Sequence, residues 1–205
     1  KDIFSYASKL GLRIMVKGLS FSHAGDLFKY ESCKHYAEAG CDHMNLLLPE
    51  AGQLIIRQAE DILELCPDIE LIHLGGDEIF NLGKSPQVND FIMKHGKSKL
   101  YIDFVNPIVE YFAKKGKQIG IWSDMLIRYP RNISELDKRT ILFYWDYWSY
   151  GERVPFLTIG GGCSDTFILN RQDLHGDLEK MYRWTLIREK DEIPRGHIER
   201  FAKYY

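Results

Sequence analysis

Two kinds of apolar pattern alternate along the chain. Short unbroken apolar runs read as buried strands, and longer stretches with apolar residues every three or four positions read as helices packed on one face. Residues 1–10 read as the end of a helix, stopped by Gly11, and Leu12-Arg13-Ile14-Met15-Val16 reads as a buried strand. Asp26 to Ala39 is expected to be helical, with Gly40 as its terminator. Pro49 and Glu50 open a helix in which Leu54, Ile55, Ala59, Ile62 and Leu63 line one face. Asp68 to Leu74 is the next strand, and Pro86 opens a short helix. Lys99 to Lys115 is amphipathic through Tyr101, Phe104, Val105, Ile108 and Phe112, with a kink or break expected at Pro107 and an end at Gly116. Gln118 to Trp122 and Thr140 to Trp145 are further strands. Phe156 to Ile159 and Thr166 to Leu169 are weaker strand candidates around Gly160-Gly161-Gly162. Helices are expected from Leu174 to Arg188 and from Pro194 to Lys203.

Strands joined by helical segments imply parallel pairing through right-handed crossovers. Doubly wound sheets and eight-fold barrels both satisfy this order. The polar residues choose between them. His23, Asp77-Glu78, Trp122-x-Asp124 and Trp145-Asp146-Tyr147 each fall just past the end of a successive strand. A barrel gathers all such ends into one ring. A doubly wound sheet focuses its ligand at one crevice, usually through a glycine-rich phosphate loop, and neither G-x-G-x-x-G nor a Walker sequence occurs. The expected fold is α/β, a (β/α)8 TIM-type barrel. With four firm strands in 205 residues, the chain is expected to be an incomplete excerpt of such a barrel. Residues 1–205 would be part of a single catalytic barrel domain whose N-terminal strands precede Lys1.

Composition narrows the function classes. The chain is 45% hydrophobic and 13% aromatic, enough for a real core. A net charge of −2 and the lack of a basic stripe argue against nucleic acid, and no apolar run is long enough to cross a bilayer. The four cysteines, Cys33, Cys41, Cys66 and Cys163, have no framework spacing and fit a reducing, cytoplasmic setting. Cys33-x-His35 and Cys41-x-His43 offer soft ligands, but residues two apart on a helix point to different faces. The expectation there is a buried thiol with surface imidazoles, and no metal. The assembly is left between monomer and homodimer.

The candidate chemistry lies in Leu71-Ile72-His73-Leu74-Gly75-Gly76-Asp77-Glu78, where an apolar strand runs through two glycines into two adjacent acids. Consecutive strand residues point to opposite faces, so Asp77 and Glu78 can serve one substrate only if the backbone leaves the strand there. Gly75 and Gly76 permit that departure. Ile79 and Phe80, together with a negative Asp77, favour a protonated Glu78. An ionised and a protonated carboxyl side by side suit bond breaking at a sugar. Neighbouring residues cannot easily flank a scissile bond from both sides as in the common two-carboxylate glycosidases. They suit a substrate-assisted scheme, in which a 2-acetamido carbonyl is the nucleophile, Asp77 orients the acetamide N–H and Glu78 is general acid/base. Trp122, Trp145, Tyr147 and Trp148 lie at or just past strand ends, where indole faces stack on sugar C–H faces.

His73-Leu74-Gly75-Gly76-Asp77-Glu78 resembles the H-x-G-G-D-E signature of family 20 glycoside hydrolases, the β-N-acetylhexosaminidases. Phe21-Ser22-His23 resembles the family's glycine-histidine segment, with Ser22 where glycine is usual. Trp122-Ser123-Asp124-Met125-Leu126 and Trp145-Asp146-Tyr147 resemble W-D-D-M-L and W-D-Y of the hexosaminidase D branch, with Ser123 in place of one aspartate. The resemblance covers residues 1–150. It implies a (β/α)8 barrel that releases terminal GlcNAc or GalNAc with retention through an oxazolinium-type intermediate, without metal or organic cofactor. Asp77 would be the polarising acid and Glu78 the general acid/base. His23, Trp122, Asp124, Trp145 and Tyr147 would contact the substrate, a glycan or glycoconjugate ending in N-acetylhexosamine. The sugar-gripping arginine of the family's first strand has no counterpart in the chain. Two rivals on the same scaffold are a non-catalytic glycan-binding barrel and a glycosidase for a different nitrogen substituent. A third, metal-dependent hydrolysis through His23, His73, Asp77 and Glu78, is disfavoured because His73 is expected to hydrogen-bond inside the barrel.

Overall fold

The structure, a computed structural model, describes residues 2–18 and 20–145, and the backbone of two strands at 156–159 and 167–170. Its frame is a four-stranded, all-parallel sheet: β1 (Met15–Lys17), β2 (Leu71–His73), β3 (Gln118–Trp122) and β4 (Thr140–Phe143), in that spatial order. Val16 pairs with Ile72, Ile72 with Ile119, and Gly120 with Ile141. Strands that neighbour each other in chain order, with no reversal, make an arc of a barrel; a doubly wound sheet has a switch in strand order.

Helix α1 (Asp2–Lys9) precedes β1 and ends at Gly11 with φ +70°. Helix α2 (Pro49–Leu65) starts on a proline, whose missing N–H costs nothing in a first turn, and buries Ala51, Ile55, Ile56 and Ala59. Between β2 and β3 come α3 (Pro86–His95) and α4 (Lys97–Ala113). α4 buries Leu100, Tyr101, Phe104, Val105, Ile108 and Phe112. It runs unbroken through Pro107. That residue is exposed in line with Asp103 and Glu110, so the carbonyl left without a donor opens to water. The β3–β4 crossover holds only the short α5 (Asp124–Arg128) and a 3₁₀ turn at Ile133–Glu135.

Side chains of the sheet alternate between two layers. Ile72, Ile119 and Ile121 are buried, with Ile72 beside Ile62 of α2 at the Gly18 backbone. On the other face His73, Trp122 and Phe143 form an aromatic layer, the His73 ring lying 4.6 Å from Trp122 and 4.8 Å from Phe143. Gly120 sits beneath that layer, where a Cβ would lie 2.6 Å from the Phe143 ring.

Three expectations change. The Leu12–Val16 run gives only a three-residue strand, with Met15 40% exposed, because β1 has one neighbour among the described residues. Asp26–Ala39 is two 3₁₀ turns, Leu27–Lys29 and Glu31–Tyr36, split where Tyr30 is extended. Neither turn has a buried residue, so no apolar face holds an α-helix there. The two later strands, β5 (Phe156–Ile159) and β6 (Phe167–Asn170), pair antiparallel. The helices expected after residue 171 lie outside the described residues. Among the described residues, no helix is long and apolar enough to cross a membrane.

Candidate active site

β2 ends at His73, and the chain then enters a tight turn with little regular structure. Gly75 and Gly76 take φ +74° and +85°. A side chain at Gly75 would collide with Ser20, and one at Gly76 with Tyr101 and Phe21. Both positions therefore need glycine for space as well as for conformation. Tyr101, fully buried on α4, donates its hydroxyl to the Gly76 carbonyl at 3.0 Å. Burial, with Asp124 and Asp77 nearby, pushes that phenol well above its ordinary range, so it stays a donor. Trp122 N–H donates to the Gly75 carbonyl at 3.0 Å, which ties the turn to β3.

The turn brings the two acids together. Glu78 is itself left-handed, with φ +56°, and its N–H donates to Asp124 Oδ2 at 2.9 Å. His23, φ +48°, rises from the segment after β1. Its Nε2 lies 3.6 Å from Asp77 Oδ2 and 3.6 Å from Glu78 Oε2, and its Nδ1 lies 3.6 Å from Asp42 Oδ2. Left-handed backbone at a non-glycine residue costs roughly 1–3 kcal/mol and concentrates at functional sites. Two of the three such residues among those described, His23 and Glu78, point at one spot; the third, Ala39, lies in the turn before Gly40. Asp77 is the more buried acid, its side chain 19% exposed against 34% for Glu78.

Asp77 is held from behind by hydroxyls. Buried Ser22 Oγ donates to Asp77 Oδ1 at 2.9 Å and accepts the Gly76 N–H at 3.1 Å. With that proton engaged, Ser20 Oγ, 2.9 Å from Ser22 Oγ, is the donor of its pair. His73 is 1% exposed and accepts the Gly75 N–H on Nδ1 at 3.0 Å, which puts the proton of the neutral ring on Nε2. Burial, helped by the charge of Lys17 and opposed by Asp77, pulls its pKa down to about 4.

Of the residues singled out in the sequence, His23, Asp77 and Glu78 converge, with ligating atoms within 4.8 Å of one another. Asp124 joins them through the Glu78 backbone, and Trp122 through Gly75 and His73. Trp145 is half-buried just past β4. Tyr147, with Asp146 and Trp148, lies outside the described residues. Ser20, Ser22 and Tyr101 were missed as supports of the acids. Tyr101 follows a helical rhythm that signals only core, and a serine hydroxyl leaves no periodic trace. His23, Asp77 and Glu78 could also hold a cation by geometry; among the described residues Cys33, His35, Cys41 and His43 do not assemble into such a set. His43 is buried, contrary to the expected surface imidazole, because it meets the buried Glu38.

Residues 2–158 match the family model for the glycosyl hydrolase family 20 catalytic domain. Among curated proteins, the chain is 23% identical to hexosaminidase D of Bos taurus over 157 residues, 72% of this chain and 45% of that protein. It is 24% identical to hexosaminidase D of Homo sapiens over 156 residues, 72% of this chain and 32% of that one. It thus spans less than half the length of either relative. Among solved structures, dispersin B superposes with a TM-score of 0.56 at 17% identity, over 71% of this chain and 41% of that one. A β-N-acetylhexosaminidase from Bacteroides fragilis gives 0.56 at 18% identity, over 71% of this chain and 30% of that one. The shared architecture is the (β/α)8 barrel, of which the four parallel strands are an arc.

Proposed function

Because the chain belongs to glycosyl hydrolase family 20, we propose that this protein is a retaining exo-β-N-acetylhexosaminidase that releases terminal GlcNAc or GalNAc by substrate-assisted catalysis. The observation that carries this reading is the meeting of Asp77 and Glu78 at one histidine nitrogen, 3.6 Å from each, on a backbone turned by two left-handed glycines. Two adjacent acids facing one point suit a substrate that brings its own nucleophile. The acetamide carbonyl oxygen attacks the anomeric carbon as the bond to the leaving oxygen breaks. Glu78 gives that oxygen its proton. Asp77, with Oδ1 anchored by Ser22, turns Oδ2 to the acetamide N–H and balances the positive charge of the oxazolinium ring. Water then attacks the same carbon, returns its proton to Glu78 and opens the ring with net retention.

The remaining residues build the pocket in this reading. His23 faces both acids, and Asp124 holds the Glu78 backbone. Trp122 and Trp145 supply indole faces, and Tyr147 supplies a hydroxyl for the acetamide oxygen. The whole of 1–205 is read as part of one catalytic barrel domain. Free Cys33, Cys41 and Cys66 support a cytoplasmic setting.

The test is turnover by the full-length protein of three chromogenic β-hexosaminides with acetylated, free and sulfated nitrogen. Only the acetylated sugar should react, with activity unchanged by a chelator. Equal rates on the free amine would overturn the scheme, and silence on all three would leave a glycan-binding barrel.

A further inference from the structure

One further carboxylate, Glu38, is tied to the segment that follows the two acids, and the proposed mechanism does not use it. Glu38 is fully buried. Its Oε1 accepts the backbone N–H groups of Gly83 and Ser85, each at 3.0 Å, and its Oε2 lies 3.0 Å from Nε2 of His43, whose side chain is 2% exposed. Burial pushes the Glu38 pKa up, but the hydrogen bonds from His43, Ser85 and Gly83 outweigh it and hold the carboxyl below its ordinary range.

Its partners lie on two different loops. Gly83 and Ser85 belong to the segment that leads from Asp77-Glu78 to α3. His43 lies between Asp42, whose carbonyl accepts the Ala24 N–H at 2.5 Å, and Met44, whose N–H donates to the Phe21 carbonyl at 2.9 Å. Those two bonds bracket His23 and hold it in its left-handed conformation. His43 is also tied to Glu38 through the backbone, its carbonyl accepting the Glu38 N–H at 3.1 Å. One buried carboxylate therefore links the loop that aims the imidazole to the loop that carries the acids.

We infer that Glu38 is a positioning residue: with His43 it clamps the His23 loop to the Asp77-Glu78 loop and fixes the distance between imidazole and carboxylates on which turnover depends. The inference about turnover rests on the hexosaminidase reading, whereas the coupling of the two loops does not. A buried carboxylate that touches no substrate acts on turnover only through the groups it positions, and a small displacement of a catalytic group can cost up to 10²-fold.

The test uses the full-length protein, amide hydrogen exchange and kinetics on a chromogenic N-acetylhexosaminide. Glu38→Ala should speed exchange about tenfold at Gly83 and Ser85 and also at Ala24 and Met44, while Ile119 and Ile121 of β3 keep their protection. Per folded molecule, kcat should fall about tenfold with KM within a factor of two, and Glu38→Gln, which keeps the acceptor oxygen, should recover most of both. Should Glu38→Ala fail to fold, His43→Ala cuts only one side of the clamp. It should speed exchange at Ala24 and Met44 and leave Gly83 and Ser85 protected. Acceleration confined to Gly83 and Ser85 in Glu38→Ala, or unchanged Ala24 and Met44 in His43→Ala, overturns the clamp. If the parent protein turns over no N-acetylhexosaminide, the functional reading fails and the exchange pattern still decides the clamp.

Discussion

Two groupings of acid and histidine lie close together in this molecule, and they are built on opposite principles. At Glu38–His43 both carboxylate oxygens are committed to protein donors, and the side chains are 0% and 2% exposed. At Asp77–Glu78–His23 one oxygen of Asp77 is anchored by Ser22, and the other faces an imidazole nitrogen at 3.6 Å, beyond a good hydrogen bond. Left-handed backbone occurs in both groupings, at Ala39 and Gly40 beside Glu38, and at His23 and Glu78 themselves in the open one. A buried carboxylate with both oxygens committed to protein donors has little left to offer a substrate. A partly exposed one, supported from behind and under-committed in front, keeps its capacity for a proton or an N–H. Residue type alone does not separate structure from chemistry here, but hydrogen-bond accounting does.

The largest effect expected from this contrast is at Glu78. Glu78→Gln should lower kcat/KM on an N-acetylhexosaminide by about 10²–10⁴-fold, with an unchanged denaturation midpoint, since general acid catalysis is worth that much. Glu38→Gln should sit near the parent in the same assay. If the two variants lose activity equally, the division between committed and uncommitted acids is wrong.

Asp77→Asn comes next. Loss of the charge opposite the developing oxazolinium should cost about 10²–10³-fold in kcat, the range seen when one well-placed electrostatic partner is removed. Added azide should not restore the rate fully, because the nucleophile belongs to the substrate. An unchanged rate on the acetamido sugar would rule out the substrate-assisted route.

Tyr101→Phe sharpens the contrast from the supporting side. It removes the donor to the Gly76 carbonyl and leaves the ring against Phe21. Stability should fall by about 1–3 kcal/mol with an unchanged urea slope. A neutral result would mean that the glycine turn holds without α4.

Much of this was legible in the chain. Gln118–Trp122 forms as its apolar run dictates, Pro49 and Pro86 open their helices, and the glycines before Asp77 release it from the strand. Such signals are local and carried by residue type or period. The missed features depend on partners distant in sequence. Leu27, Phe28, Cys33 and Tyr36 mimic helical spacing over Asp26–Ala39, yet none of them is fully buried, and tight 3₁₀ turns result. His43 reads as a surface residue and Glu38 carries no signal, because a pairing with Gly83 and Ser85 has no period to betray it. The proposed roles of His23, Trp122, Asp124 and Trp145 were reached from their places after strands, which the topology bears out as positions.

The smallest effect separates the two acids by pH. Hydrogen bonds hold the Glu38 carboxyl below its ordinary value despite burial, so folding stabilises its ionised form. That contribution is fully present above the unfolded carboxyl's pKa, near 4.5, and is lost as pH falls through the lower folded value. His73 also loses stability on acidification, over the window from 6.5 to about 4, because its buried ring resists the proton that the unfolded chain accepts. Comparing the parent with Glu38→Gln cancels His73, which titrates alike in both. The stability gap between the two proteins, measured by urea unfolding at steps from pH 7 to pH 3, should therefore hold steady down to about pH 4.5 and narrow only below it. A gap that closes between pH 7 and 5 would mean that the folded Glu38 carboxyl is not held below its ordinary range.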